Sequence, residues 1–373
     1  MRALGVFPKK RSIEVIDVPE AVIEHDRDVR LRVLEVGICG TDREIGHFHY
    51  GRPPAGSDYL ILGHEGLAEV VEVGAEVEEF QRGDLVVPIV RHPCPHSWCG
   101  PCRMNRPDFC ISGDFIERGI KEKHGFMCSH LVERPEFLAK VPGHLRDVAV
   151  LTEPLTIAEK AFGQVRQIFE RLPWFPECER PEPLKVWGDS RALVAGAGAV
   201  GLLGAMRLRL AGYKTFVYSL EPPESLNARL AAEAGCEYVS AKSCELPQLA
   251  ERVEHIDLVY EATGASKIAF GMMKYLGENG VMILTGLPAP GQPIPIDADV
   301  IMRNLVLRNQ LVFGTVNAGR EDNEKAIASL GAFQERWPRA LHSMITARWG
   351  LDSVRDLLER KPPGIKHVVH PEE

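Results

Sequence analysis

The sequence predicts an α/β protein that combines a β-rich part with a doubly wound parallel sheet. Between residue 12 and about residue 90, Gly and Pro separate short β-rich runs such as VRLRVLEVGI, GLAEVVEVG and DLVVPIV. Such runs are typical of a small irregular barrel. From Arg191 onward, apolar strand segments alternate with helical ones, beginning with RALVA, a glycine-rich turn and LLGAMRLRLAG. This alternation predicts a parallel sheet with right-handed crossover helices.

The length of the chain favours two domains. Its 373 residues and mass of 41.4 kDa exceed the usual size of a single hydrophobic core. We assign residues 1–188 to the first segment of the β-rich domain, 189–315 to the sheet domain and 316–373 to a return into the β-rich domain. The segment FPECERPEPLKVWGD, residues 175–189, is rich in Pro and charge and is interpreted as a surface connection.

Composition and charge exclude several classes of function. The net charge of −8 leaves no basic face for a phosphate backbone, so we expect no nucleic-acid partner. The N-terminal residues lack an apolar core of signal-peptide length, and no apolar run approaches the ~18 residues that span a bilayer. We therefore expect a cytoplasmic enzyme without a membrane partner.

A glycine-rich turn marks a nucleotide site. Gly196, Gly198 and Gly201 lie in GAGAVG, directly after the strand segment RALVA and before a helix. The first glycine permits a tight turn, the second lets a pyrophosphate approach the backbone, and the third allows close helix packing. Ala199 and Val200 begin the helix, whose free N–H groups suit phosphates.

Later segments complete the dinucleotide pattern. Thr263 and Gly264 follow the strand segment DLVYEATG and are candidate cofactor-binding residues. An acidic residue that binds the NAD ribose is expected about 20 residues beyond the last glycine, which points to Glu221. No Arg or Lys stands beside Glu221, although Arg229 could fold back onto a 2′-phosphate. The sequence favours NAD over NADP.

A cysteine-rich loop predicts a structural metal site. Four of the nine cysteines, with gaps of four, two and seven residues, lie in CPHSWCGPCRMNRPDFC: Cys94, Cys99, Cys102 and Cys110. Four thiolates can surround Zn²⁺ tetrahedrally and leave no open position. Without an export signal, metal ligation explains this cluster better than disulfides do. His96 is an alternative to Cys94 as the first ligand.

A second set of possible ligands is dispersed along the chain. Cys39 lies in GICGTD, His64 and Glu65 lie in LGHEG, and Glu153 lies in LTEPL. These side chains are all zinc-ligand types, and a catalytic site needs about three of them plus water or substrate. Asp42 is a candidate to orient His64 or, alternatively, to cap a turn.

The secondary structure of two further segments can be predicted. Residues 41–54 are polar and Gly-rich, contain His47 and His49, and are predicted to form a loop. The segment LTEPLTIAEKAFGQV places Leu155, Ala158, Ala161 and Val165 at helical spacing, and therefore predicts a helix.

In this order, GICGTD, GHEG, the cysteine-rich loop and GAGAVG resemble the zinc-containing medium-chain alcohol dehydrogenase family. The resemblance covers nearly the whole chain. It implies a GroES-like β-rich catalytic domain plus a Rossmann domain, an active site in the cleft, and a homo-oligomer, either a dimer or a tetramer. Residues 278–300 are expected to supply an edge strand for pairing two Rossmann sheets.

Several segments resemble the glucose dehydrogenase branch of this family, namely GHEG with its glutamate, DFIERGIKEKHGFM, LTEPLTIAEKAF and FGTVNAG. This resemblance implies that Cys39, His64 and Glu153 occupy zinc positions. It also implies that Glu65 either ligates the zinc or stands just behind it. Which of the two glutamates ligates the resting zinc stays open.

The same resemblance assigns residues to the substrate. It implies that Thr41 belongs to a proton relay, that Glu117 binds sugar hydroxyls, and that Asn317 lies near both the nicotinamide and the sugar. Val90 departs from the branch, because some members have an Asn there against the sugar. Leu307 and two extra residues between Cys94 and Cys99 are further departures.

The function predicted is oxidation of an aldose, with D-glucose as the leading substrate, by hydride transfer to NAD(P). Galactose, xylose and polyols stay open as substrates. The alternatives are another zinc-dependent dehydrogenase, of the sorbitol or threonine type, and a non-catalytic dinucleotide-binding sensor.

Overall fold

The computed structural model describes residues 1–173, 190–288, 291–360 and 362–372. The chain divides into two compact units. Met1–Thr156, Asn317–Arg336 and Met344–Glu373 form the first unit, and Ile157–Val316 and Trp337–Ser343 form the second. The predicted surface connection at 175–189 and the predicted domain boundary at 188/189 lie outside the described residues, so both stay predictions.

Short strands dominate the N-terminal segment. The strands are β1 (Arg2–Phe7), β2 (Ser12–Asp17), β3 (Val29–Gly37), β4 (Leu60–Ile61), β5 (Glu65–Val73), β6 (Leu85–Pro88), β7 (Arg91–His92), β8 (Ile116–Arg118), β9 (Glu122–Lys123), β10 (His130–Glu133) and β11 (Leu138–Val141). The helices are α1 (Gly40–Gly46), α2 (Gly100–Arg103) and α3 (Thr152–Phe169).

Strands and helices alternate in the segment that follows. The strands are β12 (Arg191–Ala195), β13 (Lys214–Ser219), β14 (Glu237–Ser240), β15 (Leu258–Glu261), β16 (Val281–Leu284) and β17 (Leu311–Gly314). The helices are α4 (Ala199–Leu210), α5 (Leu226–Glu233), α6 (Leu246–Val253), α7 (Ser266–Met273) and α8 (Ala298–Leu307). The chain ends with α9 (Arg320–Arg336), α10 (Pro338–Ser343), β18 (Ile345–Gly350), α11 (Val354–Arg360) and β19 (Lys366–His370).

The first unit is built on a seven-stranded sheet. Six of its strands follow the order β11-β6-β5-β3-β19-β18, and β10 also pairs with β3. Smaller sheets of the orders β2-β1-β4 and β7-β8-β9 complete the unit. Strand β19 pairs antiparallel with β3, so the C-terminal segment returns to the centre of the N-terminal sheet.

The second unit contains a six-stranded sheet in the order β14-β13-β12-β15-β16-β17. All of its pairs are parallel. Counted from β12, this is the 3-2-1-4-5-6 order of a doubly wound sheet, whose ligands bind where the strand order reverses. The structure thus confirms the predicted α/β fold class with a Rossmann sheet.

The prediction of an edge strand within residues 278–300 is wrong. The strand of that region, β16, lies inside the sheet, between β15 and β17. Its sequence VMIL is almost entirely buried, as expected for a strand with neighbours on both sides. The edge is formed by β17, which is half-buried and follows about 30 residues later in the chain.

The predicted helix in LTEPLTIAEKAFGQV is confirmed by α3. Leu155, Ala158, Ala161 and Val165 are completely buried along one of its faces. The prediction of a loop over residues 41–54 is wrong in its first half, because α1 covers Gly40–Gly46. This short helix is nucleated by a cap at its first turn, which the polar composition of the segment does not reveal.

Each unit has its own hydrophobic core. In the first unit, the buried side chains come from the sheets, from the segments between strands and from α11, among them Leu31, Leu62, Phe126 and Leu357. In the second unit, the core lies against the parallel sheet and includes Phe216, Tyr218, Val259 and Met282. Among the described residues, no helix has both the length and the apolar character needed to span a bilayer.

A charged cluster is buried in the first unit around Glu133. Arg118 Nε donates to Glu133 Oε2 at 2.6 Å, and His92 Nε2 lies 3.3 Å from the same oxygen. Lys123 Nζ donates to Glu133 Oε1 at 3.5 Å. Burial alone would raise the pKa of Glu133, but the neighbouring Arg118, His92 and Lys123 outweigh it and hold the pKa well below its usual range.

We therefore expect Glu133→Gln to reduce the free energy of unfolding by about 3–5 kcal/mol at neutral pH, because it leaves the buried Arg118 without its carboxylate. Glu72→Gln, at a half-exposed pair with Arg30, serves as the control and should cost less than about 0.5 kcal/mol. Urea titrations of the full chain measure both differences.

The effect of pH on the Glu133 variant has a definite sign. Since the pKa is depressed in the folded state, the stabilisation is present above the unfolded value of about 4.5 and is lost as the pH falls further. The difference from wild type should shrink on acidification below about pH 4.5. A constant difference between pH 7 and pH 3 would contradict this account.

Candidate active site

Three of the predicted zinc ligands meet in the first unit. One donor atom each from Cys39, His64 and Glu65 lies within 4.8 Å of the others. Cys39 follows the end of β3, and Glu65 opens β5, which pairs antiparallel with β3 so that Gly37 faces Glu65. A residue with a side chain at Gly37 would overlap the Glu65 carboxylate. Gly37 therefore leaves room for the Glu65 side chain.

The cap of α1 fixes Cys39. Its Sγ accepts a hydrogen bond from Thr41 N at 3.2 Å, and its backbone N donates to Asp42 Oδ2 at 2.9 Å. These two bonds form a capping box, in which the cysteine replaces the usual Ser or Thr. The arrangement holds the sulfur at the N-terminus of α1.

Asp42 fills both of the roles considered for it. Its Oδ2 belongs to the cap, and its Oδ1 lies 3.3 Å from His64 Nδ1. The other ring nitrogen, Nε2, lies 3.2 Å from Cys39 Sγ. Metal-ligating histidines characteristically give their second nitrogen to a carboxylate, which fixes the ring and the tautomer.

The site attracts positive charge. Burial alone would lower the pKa of His64, but Asp42 and Cys39 raise it well above its ordinary value. The negative groups around the imidazole therefore favour its charged form. Binding of a metal cation would compensate the same negative groups and requires the neutral imidazole.

Glu65 is held by a lysine that the sequence analysis missed. Lys366, on β19, is buried and donates from Nζ to Glu65 Oε2 at 2.5 Å and to Ile38 O at 3.3 Å. Burial alone would lower the pKa of Lys366, whereas Glu65 and Cys39 raise it. The lysine is 301 residues from its partner, and no local motif surrounds it.

Glu153 lies in the first turn of α3 and outside the three-residue group. Burial raises its pKa to about 7, and the charges of His64 and Glu65 act on it in opposite directions. Glu153 is therefore close enough to interact electrostatically with the cluster. The structure brings together Cys39, His64 and Glu65, with Glu153 as a neighbouring carboxyl group.

The four loop cysteines form a separate group. Their sulfurs lie within 4.8 Å of one another, and the group includes Cys94. His96 instead directs Nε2 to Asp114 Oδ2 at 2.6 Å. Burial raises the pKa of Cys102 to about 12. At Cys110, hydrogen bonds outweigh burial and lower the pKa to about 6.

Both groups have donor sets that suit Zn²⁺. Four thiols around one point form a closed tetrahedral set, as in structural sites. A thiol, an imidazole and a carboxyl group leave one position for water or substrate, as in catalytic sites. Thiolates and a neutral imidazole are the ligand forms, so metal binding at either group would release protons.

The predicted sugar-binding residues contact each other in the first unit. Asn317 Nδ2 donates to Glu117 Oε1 at 2.7 Å, although the two residues are 200 positions apart. Asn317 has a φ of 58°, in the left-handed region that Asn tolerates. Arg91, which the sequence analysis missed, donates from Nε to the same Glu117 oxygen at 3.0 Å.

Tyr50 is a third residue that the sequence analysis missed. It is more than half exposed and lies in the segment predicted to be a loop. Burial and the charge of Glu117 raise its pKa, and the opposing effects of Arg91 and His64 are smaller. Its place in a polar, Gly-rich segment was the available signal.

The glycine-rich turn in the second unit has the predicted geometry. Gly196 has a φ of 102°, and Gly201 packs so tightly that a Cβ would overlap the Gly196 carbonyl oxygen. At Gly198, an added Cβ would meet no atom within 4 Å, so the backbone is open to a ligand. Ala199 and Val200 start α4 directly after it, at the centre of the sheet.

The remaining cofactor candidates follow β13 and β15, the two strands that flank β12. Thr263 and Gly264 donate their backbone N–H groups to Glu261 Oε1 at 2.7 and 3.0 Å. Glu221 follows β13 and accepts a hydrogen bond from Ser219, whose Oγ also accepts one from Ala197 N at 3.2 Å. The turn, β13 and Glu221 are thus linked by hydrogen bonds within the second unit.

Comparisons with known proteins agree with this arrangement. A family model of the alcohol dehydrogenase GroES-like domain matches residues 25–143. A model of the glucose dehydrogenase C-terminus matches residues 146–370. A glucose 1-dehydrogenase of Methanocella arvoryzae is 42% identical over 370 residues and covers 99% of each chain. Glucose 1-dehydrogenase 1 of Caldivirga maquilingensis is 37% identical over 372 residues, with 99% of this chain and 98% of the relative covered.

A solved structure shares the fold over the full length. Glucose dehydrogenase of Haloferax mediterranei, in complex with NADP, Zn and gluconolactone, superposes with a TM-score of 0.87 at 28% identity, and the match covers 99% of both chains. Together with the family models and the sequence relatives, this match confirms the resemblance on which the predictions rest. The chain belongs to the glucose dehydrogenase branch of the zinc-containing medium-chain alcohol dehydrogenase family, a family of NAD(P)-dependent dehydrogenases.

Proposed function

We propose that this enzyme oxidises D-glucose at C1 to the lactone and transfers the hydride to a nicotinamide dinucleotide. The observation that carries the proposal is the partly buried hydrogen bond between Asn317 and Glu117, in the unit that also holds the Cys39 cluster. An amide and a carboxylate in the same unit as a metal-ligand group suit a polyhydroxylated substrate. The names of the relatives from Methanocella and Caldivirga support glucose.

We assign the catalytic zinc to Cys39 and His64, with Glu65 or Glu153 as the third protein ligand. When bound, this zinc polarises the C1 hydroxyl and lowers its pKa. Asp42 orients His64 through the contact with Nδ1. Lys366 occupies one oxygen of Glu65 and leaves the other for the metal. The structural zinc is assigned to the four cysteines of the loop.

Thr41 is the residue proposed to move the proton. It lies in the first turn of α1, and its backbone N donates a hydrogen bond to Cys39 Sγ. Thr41 is therefore next to one of the proposed zinc ligands. A hydroxyl can accept a proton from the substrate and donate its own towards solvent. The nicotinamide, when bound, accepts the hydride from C1.

Glu117 and Asn317 hold the remaining hydroxyls of the sugar. Glu117 is buried and Asn317 is partly buried, and each would lose a partner when a substrate lacks the matching hydroxyl. A site of this kind discriminates far better than an apolar pocket does. Val90 is buried and offers no polar group to the sugar. Galactose and xylose are therefore second candidates, because the preference among aldoses depends on the polar groups that contact the sugar.

The cofactor preference requires a correction. The sequence favoured NAD, but the solved Haloferax mediterranei enzyme contains NADP, so the preference for NAD is not supported and NADP is favoured. We propose NADP as the cofactor, with the pyrophosphate bound along the turn of Gly196, Gly198 and Gly201. Arg229 is exposed on α5, and it forms no ion pair among the described residues, so it is the candidate cation for the 2′-phosphate.

We also propose that the enzyme is a homo-oligomer, either a dimer or a tetramer. The half-buried edge strand β17 supports this proposal, because it leaves backbone groups free to pair with a second sheet. Val300, Met302 and Val306 on the neighbouring α8 are exposed apolar side chains in the same unit.

The reaction is tested by following reduced nicotinamide absorbance. We expect the purified enzyme to reduce NADP⁺ with glucose, at a higher kcat/KM than NAD⁺, and to lose the activity on chelation. Galactose, xylose, sorbitol, threonine and ethanol complete the panel. Preference for sorbitol or threonine would replace the aldose assignment with the corresponding polyol or amino-alcohol class. Absence of turnover with every substrate at full zinc content would favour a sensor.

The two zinc sites are tested by metal analysis of single variants. We expect two zinc ions per wild-type chain. Cys39→Ser should keep the loop zinc and lower kcat by more than about 100-fold, because the ligand of the reacting metal is lost. Cys99→Ser should instead lose the loop zinc and lower the thermal midpoint. Cys244→Ser, at a half-buried thiol of the second unit, is the matched control and should retain both ions.

A further inference from the structure

We propose that Arg91 is a positioning residue for the sugar: it fixes Glu117 so that one carboxylate oxygen is occupied and the other alone accepts substrate hydroxyls. This inference rests on the proposed function, in which Glu117 binds the sugar. Arg91 is not itself assigned to the substrate. Its action goes through Glu117, and its own orientation depends on Phe115 and on the cysteine loop, residues 94–110.

The donors around Glu117 are distributed unequally between its two oxygens. Oε1 accepts from Arg91 Nε at 3.0 Å and from Asn317 Nδ2 at 2.7 Å, and Arg91 Nη2 lies 2.9 Å away. A carboxylate oxygen has two lone-pair positions, so these donors saturate it. Among the described residues, no group donates to Oε2. Oε2 is the acceptor left for the hydroxyls of a sugar.

The pairing of Arg91 with Glu117 follows from the sheet. Strands β7 and β8 are antiparallel, and the two residues stand directly opposite each other in the register. Both side chains are less than 10% exposed. A buried carboxylate without its cation is costly, and the planar guanidinium offers two nitrogens in a fixed geometry. Nε and Nη2 of Arg91 therefore fix the rotation of the Glu117 carboxylate and also neutralise its charge.

Two further contacts fix the guanidinium itself. Its Cζ lies 3.8 Å from the centre of the Phe115 ring, at a stacking distance. Arg91 Nη1 donates to Asp108 O at 3.4 Å. Asp108 belongs to the cysteine loop and precedes Cys110 by two residues. The folded cysteine loop thus supplies one of the groups that orient Arg91.

The same loop reaches the second donor to Glu117. The Asp108 carboxylate accepts two hydrogen bonds from Arg106, at 2.9 and 2.7 Å. Arg106 Nη2 lies 3.7 Å from Asp322 Oδ2, which accepts from Gly319 N at 2.9 Å. Gly319 is two residues after Asn317. Both donors to Glu117 Oε1 are therefore connected to the cysteine loop.

Arg91→Lys is the variant that separates charge from geometry. Lysine keeps the positive charge but lacks the planar fork. We expect the KM for glucose to rise about 10- to 100-fold, the range that corresponds to loss of one charge-assisted hydrogen bond. The kcat should stay within about threefold, because the zinc ligands are unchanged. The KM for NADP⁺ and the zinc content should equal those of wild type.

The control is Arg103→Lys, at an exposed arginine on the same cysteine loop. It should leave the KM for glucose unchanged. Phe115→Leu provides a second, milder variant, since it removes only the ring on which the guanidinium lies. It should raise the KM for glucose in the same direction, and it keeps the proposal testable if Arg91→Lys fails to fold.

A double-mutant cycle with Glu117→Gln tests whether Arg91 acts through Glu117. In the Glu117→Gln background, Arg91→Lys should change the KM for glucose by less than about twofold. Deoxyglucose analogues give a second measure. The preference of wild type for glucose over the analogue that lacks the hydroxyl bound by Glu117 should fall in Arg91→Lys and in Glu117→Gln alike.

The outcomes separate this inference from the proposed function. An unchanged KM in Arg91→Lys, while Glu117→Gln raises it, would overturn the role of Arg91 and leave glucose oxidation intact. Equal and additive effects in the cycle would also overturn it, since Arg91 would then act independently of Glu117. An unchanged KM in Glu117→Gln would count against the sugar site of the proposed function itself.

Discussion

The ion pair between Glu65 and Lys366 joins parts of the first unit that are far apart in the chain. Lys366 reaches Glu65 across 301 residues and is buried beside β3. Two buried charges of opposite sign tolerate each other only when their geometry and hydrogen bonds are satisfied. The return of β19 to β3 is therefore a condition for placing the Glu65 carboxylate beside Cys39 and His64. The first unit is made of separate chain segments, and the C-terminal one supplies the lysine that the metal-ligand group needs.

Buried carboxylates elsewhere in the first unit follow the same rule with different cations. Glu133 is surrounded by Arg118, His92 and Lys123 and belongs to the interior of the fold. Glu117 faces the planar fork of Arg91, and no described residue donates a hydrogen bond to its Oε2. Glu65 meets the single ammonium group of Lys366. A lysine neutralises charge from one point, whereas an arginine also fixes the rotation of its partner. The choice of cation thus distinguishes the carboxylate that lies with Cys39 and His64 from the one that is proposed to present a defined oxygen.

Sequence reasoning succeeded where the determinants are local. The spacing of the loop cysteines, the glycine turn and the helical period of α3 each lie within about 20 residues, and each is found in the structure as expected.

Sequence reasoning failed where residues that are distant in the chain determine the structure. Neither Lys366 nor Arg91 has a motif, because each acquires its role only when a strand is placed opposite its partner. The helix α1 was missed since its start depends on a cysteine that acts as a cap, and β16 was misplaced because the order of strands is not written in their sequence.

These contacts also connect the cysteine-rich loop with Glu117, the residue proposed to bind the sugar. Residues 94–110 contain no group that is assigned to the reaction, yet Asp108 bonds Arg91 through its carbonyl oxygen and Arg106 through its carboxylate. A loop of this size has little apolar surface with which to hold its own shape, and four thiols around one metal ion supply that rigidity. The rigidity is then available to the two donors that saturate Glu117 Oε1. On this argument, a metal ion held by the four cysteines, as proposed, would contribute to substrate selection, because it would fix the backbone to which Arg91 is bonded.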